Sequence, residues 1–146
     1  MAAYSIREAQ EKDYFAIWDI LCKVLGYTEL TQKQTIGQLN RIQAHSDYQT
    51  YVAEADGKVI GFIGLFRGLA YEDDGEYLKI MALAIYDEYQ GRGIGKALLQ
   101  TAEAYAKEHK MDCIGLNSGL ARQQAHQFYE KNGFVKKSYG FSKVLE

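Results

Sequence analysis

Residues 90–96 read Gln-Gly-Arg-Gly-Ile-Gly-Lys, wedged between the apolar run 77–85 and a helix pattern that begins at Ile94. Three glycines at alternate positions let the main chain approach a ligand closely, because no Cβ stands in the way. A helix that starts here aims unpaired N–H groups and the positive end of its dipole at one spot. Arg92 and Lys96 add positive charge. A strand that runs into such a junction predicts a pocket for a polyanion, most economically a phosphate or pyrophosphate.

The rest of the chain alternates strand and helix patterns. Tyr4–Glu8 reads as a short strand. Residues 11–25 place Phe15, Ile17, Trp18, Leu21, Val24 and Leu25 at helical spacing, with Gly26 as the stop. The Phe15/Trp18/Leu21 stripe is read as core. Thr31 is positioned to cap a second helix that carries Ile36, Leu39 and Ile42. Tyr48–Ala55 and Lys58–Leu69 read as strands joined at Asp56-Gly57, a hairpin signal. Residues 70–76 form an acidic loop, and 77–85 suit a central strand covered on both faces. After the glycine loop comes a helix with Ile94, Ala97, Leu98, Thr101, Ala102, Tyr105 and His109 along one face. A strand over 112–117 and a helix over 121–131, ended by Gly133, follow. Residues 134–145 read as one long strand or two short ones. The predicted order is β-α-α-β-β-β-α-β-α-β(β), an α/β fold with one mixed central sheet flanked by helices in a single domain, residues 1–146.

Composition excludes several classes. The formal net charge is −2, and no basic block stands out, so nucleic acid is not an expected partner. No apolar run approaches the roughly 20 residues that span a bilayer, and the N-terminus lacks the apolar core of a signal peptide. Cys22 and Cys113 fit neither a metal site nor a disulfide framework, and no metal is expected. A reduced, cytoplasmic protein is the expectation.

Two phosphate motifs fail when tested. Counting Gly-x-Gly-x-x-Gly from Gly91 puts Lys96 where the last glycine belongs, and that motif opens a Rossmann unit, whereas about 75 residues precede this strand. The nucleotide-triphosphate loop fails at both ends, where Gln90 and Ala97 stand in place of Gly and Ser/Thr.

Gln90-Gly91-Arg92-Gly93-Ile94-Gly95 does match Gln-x-x-Gly-x-Gly. It closely resembles the acyl-CoA-binding motif of the GNAT superfamily of N-acetyltransferases. Downstream, Ala125-His126-Gln127-Phe128-Tyr129-Glu130-Lys131-Asn132-Gly133-Phe134 resembles that family's final helix and turn. The order and separation of the two motifs agree with the family over essentially the whole chain. The resemblance implies that main-chain N–H groups from Arg92 to Lys96, in the loop opened by Gln90 and Gly91, cradle the pyrophosphate of acetyl-CoA as co-substrate. It implies that Leu83, Ala84 and Ile85 offer main-chain hydrogen bonds to the pantetheine arm, on a strand that bulges and splays from its neighbour. An N–H near Leu83 would face the thioester oxygen and stabilise the oxyanion. Tyr129 resembles the family's tyrosine that protonates the departing thiolate.

Other positions depart from the pattern or stay open. Most family members carry Asn near position 122; here Ser118-Gly-Leu-Ala-Arg122-Gln-Gln-Ala-His126-Gln-Phe-Tyr129 stands instead, so Arg122 either binds a CoA phosphate, shapes the acceptor site, or is a solvated base. Arg122, His126 and Tyr129 fall at i, i+4 and i+7, and His126 is read as helix packing ahead of catalysis. Some family members place a glutamate base on the central strand where this chain has Lys79. Asp73, Asp74 and Glu76 are the nearby acids, with a solvated loop as the plain alternative. Tyr27 and Glu29, between the first two helices, and Asn117 are candidate acceptor contacts; Asn117 equally suits a turn cap. The expected activity is acetyl transfer to a primary amine of a small molecule or peptide by direct attack in a ternary complex. The rivals are an acyl-CoA-binding sensor without turnover and a binder of some other phosphate. Such domains commonly pair, which leaves a homodimer among the implied partner states.

Overall fold

Asp56 and Gly57 both take positive φ, +52° and +74°, the sign pattern of a type I′ turn. They close a hairpin of β2 (Tyr48–Ala55) and β3 (Lys58–Leu69). In the computed structural model, which describes residues 3–146, this hairpin lies within a five-stranded sheet whose order follows the chain, with β1 (Tyr4–Glu8) before it and β4 (Glu76–Ile85) and β5 (Ile114–Leu116) after it. β1 pairs antiparallel with β2, and β4 pairs antiparallel with β3. β5 is reached from β4 through helix α3 (Ile94–Glu108), the kind of connection that joins parallel neighbours.

Helices α1 (Tyr14–Lys23) and α2 (Gln32–Gln43) cover one face of this sheet. Tyr14, Ile17, Ile20 and Leu39 are buried there with Val52, Val59, Phe62, Ala84 and Tyr86. The buried face of α1 is therefore turned one residue from the expected Phe15/Trp18/Leu21 stripe, of which Phe15 is 56% exposed and Trp18 and Leu21 are half-buried. Tyr51, next to Val52 on β2, points to the opposite face, where its ring meets Tyr105 of α3 at 6.5 Å. Leu98, Leu99, Ala102 and Ala106 of α3 are buried along with Tyr105. Fully buried side chains such as Ile17, Ile20 and Leu98 each contribute about 2 kcal/mol of transfer free energy.

Local chemistry sets the element ends. Thr31 Oγ1 accepts from Gln34 N–H at 3.1 Å while the Gln34 side chain accepts from Thr31 N–H at 2.9 Å, a capping box that starts α2. The first helix pattern opens as a 3-10 turn at Glu11–Asp13 before α1 begins. Asp13, only 2% exposed, takes two bonds from Arg7, at 2.7 and 2.9 Å, and one from Gln10 N–H. Burial pushes this carboxyl up, but the Arg7 and Gln10 hydrogen bonds and the charges of Arg7 and Lys12 together hold it below the usual carboxylate range. Arg7 also reaches Glu54, so one guanidinium ties β1, the start of α1 and β2.

Two compact units divide the chain after Gly115. The second contains the turn 117–122, helix α4 (Gln123–Lys131) and the segment that follows. The strand expected over 134–145 is absent: these residues form no ladder, and Val135, Tyr139, Phe141 (94% exposed), Val144 and Leu145 stand in solvent. An apolar alternation becomes a strand only when a partner edge takes its N–H and C=O groups, and this segment pairs with none.

Candidate functional site

β4 carries the first part of the predicted site. Its register with β3 slips between Gly64↔Ala82 and Leu65↔Ile80, so Met81 is an extra, unpaired residue and stands 52% exposed. A bulge of this kind bends a strand away from its line. On its other edge β4 is tied to the β5 side through Leu78 N–H and Cys113 C=O at 3.1 Å. Three residues of β5 beside the first half of β4 cannot pair all ten. Tyr86 N–H bonds Ile60 C=O across to β3, so by alternation the Ala84 main chain also faces β3 and not the expected ligand edge. Leu83 and Ile85 turn to the other edge, where the Ile85 C=O accepts from the Gln90 side chain. The expected bulge is present in β4.

The loop after β4 carries the second part. Tyr89 N–H bonds Tyr86 C=O at 2.9 Å and Gln90 N–H bonds Asp87 C=O at 3.2 Å, forming a 3-10 turn. The Gln90 amide folds back on this turn, donating to Ile85 C=O and to Asp87 Oδ1, both at 3.2 Å. Gln90 therefore braces the loop from within. Gly91 and Gly93 then adopt φ of +76° and +81°, the left-handed region that side-chain-bearing residues rarely enter. Helix α3 starts immediately after, and the first N–H there to find a backbone acceptor is Ala97, bonded to Gly93 C=O. Among the described residues the N–H groups of 91–96 donate to no acceptor within the chain. Six adjacent free donors at a helix start form a fixed cradle for anionic oxygens. Arg92 lies with its guanidinium 5.3 Å from the Tyr89 ring centre, and Lys96 is exposed on the first turn of α3.

The second unit holds the other predicted residues. Arg122 precedes α4 as its N-cap, its N–H bonded to Gly119 C=O at 3.0 Å, so it is off the regular helix on which His126 and Tyr129 sit. His126 Nε2–H donates to Gly119 C=O at 2.8 Å. That bond anchors the turn before α4 and accounts for the histidine structurally. Tyr129 is half-buried between the rings of Phe128 and Phe134, at 5.4 and 5.7 Å. Burial raises its phenol above the ordinary value, opposed by the charge of Arg122, so it keeps its proton at neutral pH. Asn117 is exposed and lies against Gly140, where an added Cβ would sit 3.1 Å from its Nδ2. Ser118 Oγ is buried without a hydrogen-bond partner, a feature that the sequence pattern around it does not announce.

The remaining candidates separate. Tyr27, 57% exposed, and Glu29 lie in the turn between α1 and α2, which Trp18 Nε1–H pins by donating to Leu30 C=O at 2.8 Å. Nothing in the hydrogen bonding links them to residues 90–96. Glu76 is engaged by Arg67 at 2.7 Å, which removes it as a free base. Asp73 accepts from Asp74 N–H at 2.7 Å within the exposed acidic turn. Lys79 is half-buried on β4 opposite Phe66. Among the described residues no group of His, Cys, Asp and Glu is arranged to hold a metal.

The chain is thus an α/β protein in which a bulged strand runs into a cluster of free N–H groups at a helix start, an arrangement suited to anionic oxygens. The chain matches the Acetyltransferase (GNAT) family over residues 3–134 and belongs to that family. Aminoalkylphosphonate N-acetyltransferase of Salmonella typhimurium is 25% identical over 146 residues, covering 99% of this chain and 94% of that protein. N-acetyltransferase 8 of Rattus norvegicus is 28% identical over 95 residues, 65% of this chain, which spans only 43% of the rat protein. Among solved structures, a GNAT family acetyltransferase of Staphylococcus aureus superposes with a TM-score of 0.78 at 28% identity, covering 99% of this chain and 100% of that one.

Proposed function

We propose that this chain is an acetyl-CoA-dependent N-acetyltransferase acting on a primary amine, with residues 1–146 working as one catalytic domain. The observation that carries this is the run of six free N–H groups at 91–96, following directly on the bulged strand β4. Those donors fit a diphosphate, and the edge of β4 toward which the Leu83 and Ile85 main chain turns is assigned to the amide-bearing arm of the co-substrate. The bound co-substrate supplies an activated acyl thioester. The Leu83 N–H is assigned to the thioester oxygen, where charge develops as the amine nitrogen attacks and the C–S bond breaks. Tyr129 is assigned as the acid that gives its proton to the departing thiolate. Its raised phenol fits a group that must be protonated in the resting enzyme. The amine must shed its own proton as the amide forms; Asp73 and Asp74 are assigned to take it, directly or through water, since Glu76 is held by Arg67. Arg122, Tyr27, Glu29 and Asn117 are assigned to the co-substrate phosphates or the acceptor.

The Salmonella relative acts on aminoalkylphosphonates, which makes a small polar amine the first acceptor class to test. Free Cys22 and Cys113 suit a reducing cytoplasm, and among the described residues no helix is long and apolar enough to cross a membrane. The deciding experiment measures thiol release from acetyl-CoA over a panel of aminoalkylphosphonates, polyamines, aminoglycosides and lysine peptides, with CoA calorimetry alongside. Turnover with one class supports the proposal. Tight CoA binding with no turnover on any amine replaces it with a sensor, and no CoA binding overturns it.

A further inference from the structure

The residue that joins β4 to the anion cradle is held from three directions. Tyr86 N–H donates to Ile60 C=O at 3.0 Å. Ile60 is itself the extra residue of a bulge in β3, where the register passes from Glu54↔Val59 to Ala53↔Gly61. The Tyr86 hydroxyl donates to Asp19 Oδ2 on α1 at 2.5 Å, and Lys23 holds the same carboxylate oxygen at 3.2 Å. Lys58 Nζ lies 5.3 Å from the centre of the Tyr86 ring. Burial, then the Asp19 bond, raises the Tyr86 phenol, while the net effect of its surroundings keeps Asp19 ionised, so donor and acceptor are unambiguous. Gly61 completes the arrangement: a Cβ there would sit 2.8 Å from Ile85 Cγ1 and 3.0 Å from Ala84 C=O, so β3 and β4 close up just before the loop.

From Tyr86 the constraint passes along the chain. Tyr86 C=O accepts Tyr89 N–H, the Tyr89 ring packs against the core and lies beneath Arg92, and Gln90 braces the turn from the other side. The next residues are the free donors. An amide cradle favours an anion to the extent that its N–H groups are aimed before the anion arrives.

We infer that Asp19 and Tyr86 are positioning residues that hold the 91–96 cradle in its binding shape from helix α1, through a hydrogen bond spanning 67 positions of sequence. The inference rests on the proposed binding of acetyl-CoA at that loop, and on nothing about the acceptor.

Tyr86→Phe keeps the ring, its packing and its contact with Lys58 while deleting the single donor. In the full-length protein, KM for acetyl-CoA and Kd for CoA should rise about fivefold to tenfold, with kcat at saturating acetyl-CoA within twofold of wild type. Asp19→Ala should match it, and Asp19→Asn, which still accepts the phenol proton, should restore most of the affinity. Hydrogen exchange of the ligand-free protein provides a readout that needs no coenzyme: amides 91–97 should exchange faster in Tyr86→Phe and Asp19→Ala, with the helix α2 amides unchanged. Unaltered KM and unaltered exchange at 91–97 overturn the inference. So does equal loss in Asp19→Asn and Asp19→Ala, or exchange that rises throughout the domain. Wild-type protein that ignores CoA, with the exchange difference intact, overturns the proposed function and leaves the clamp standing.

Discussion

Two stretches of this chain approach ligand chemistry in different ways. Under the proposed function, the working groups from Leu83 to Lys96 are main-chain amides, set by a bulge at Met81, two left-handed glycines and a helix start. From Asn117 to Gly133 the groups assigned by that proposal are side chains, a half-buried phenol at Tyr129 and a guanidinium at Arg122, while the His126 imidazole is committed to Gly119 C=O. The first stretch tolerates substitution of side chains that point away from the ligand but not a change of backbone conformation. The second keeps its shape when one functional atom is removed, and loses that atom's chemistry. Binding is therefore expected to depend on the first and turnover on the second.

Tyr129→Phe is the sharpest way to break that division. Losing a positioned acid should lower kcat about a hundredfold or more, while Kd for CoA stays within about twofold of wild type; thiol release and calorimetry measure the two. Retained kcat would remove the phenol from the chemistry. Burial places the Tyr129 phenol above the ordinary value of 10.0, and an acid works only below its own pKa. The kcat profile of the wild type should accordingly show no alkaline fall from this group until above pH 10.

Next in size is Gly93→Val. A β-branched residue at φ +81° is strained by about 2 kcal/mol, and relieving that strain turns the cradle N–H groups, so CoA affinity should fall about thirtyfold. An unchanged Kd would mean the cradle holds nothing. Because Gly93 has open space around the position of a Cβ, the effect isolates backbone conformation from crowding. Arg92→Ala should have the smallest effect. Its charge is exposed, so a loss of about threefold at low salt that fades at high salt is expected. Titrations at two ionic strengths check this, and a salt-independent loss would assign Arg92 a direct, desolvated contact.

Much of the fold was legible because its signals are local. Asp56-Gly57 is a turn by its own φ preferences, Thr31 and Gln34 cap a helix across three residues, and the apolar spacing of 94–108 sets one buried face. The cradle was legible for the same reason, since glycine spacing at a strand–helix junction is written in consecutive residues. The misreadings share the opposite property. Residues 134–145 carry strand-like alternation, yet pairing depends on a partner edge that no local pattern announces. Glu76 looked as available as Asp73 until Arg67, from the neighbouring strand, claimed it. Arg122 looked helical by counting, but its backbone, at φ −87° and ψ +66°, leaves it as a cap.

The sequence by itself determined the order of elements as far as α4, the hairpin turn, the starts of α2 and α3 and the glycine loop at 90–96, because each follows from dihedral preferences and hydrogen-bonding needs within a few neighbouring residues. The tertiary structure alone decided what holds those pieces to one another. Arg7 with Asp13 and Glu54, Arg67 with Glu76, and Asp19 with Tyr86 join groups on different elements. Such pairs form only after the apolar faces of α1, α2 and α3 have packed on the sheet, so their partners are fixed by packing in three dimensions and not by spacing along the chain.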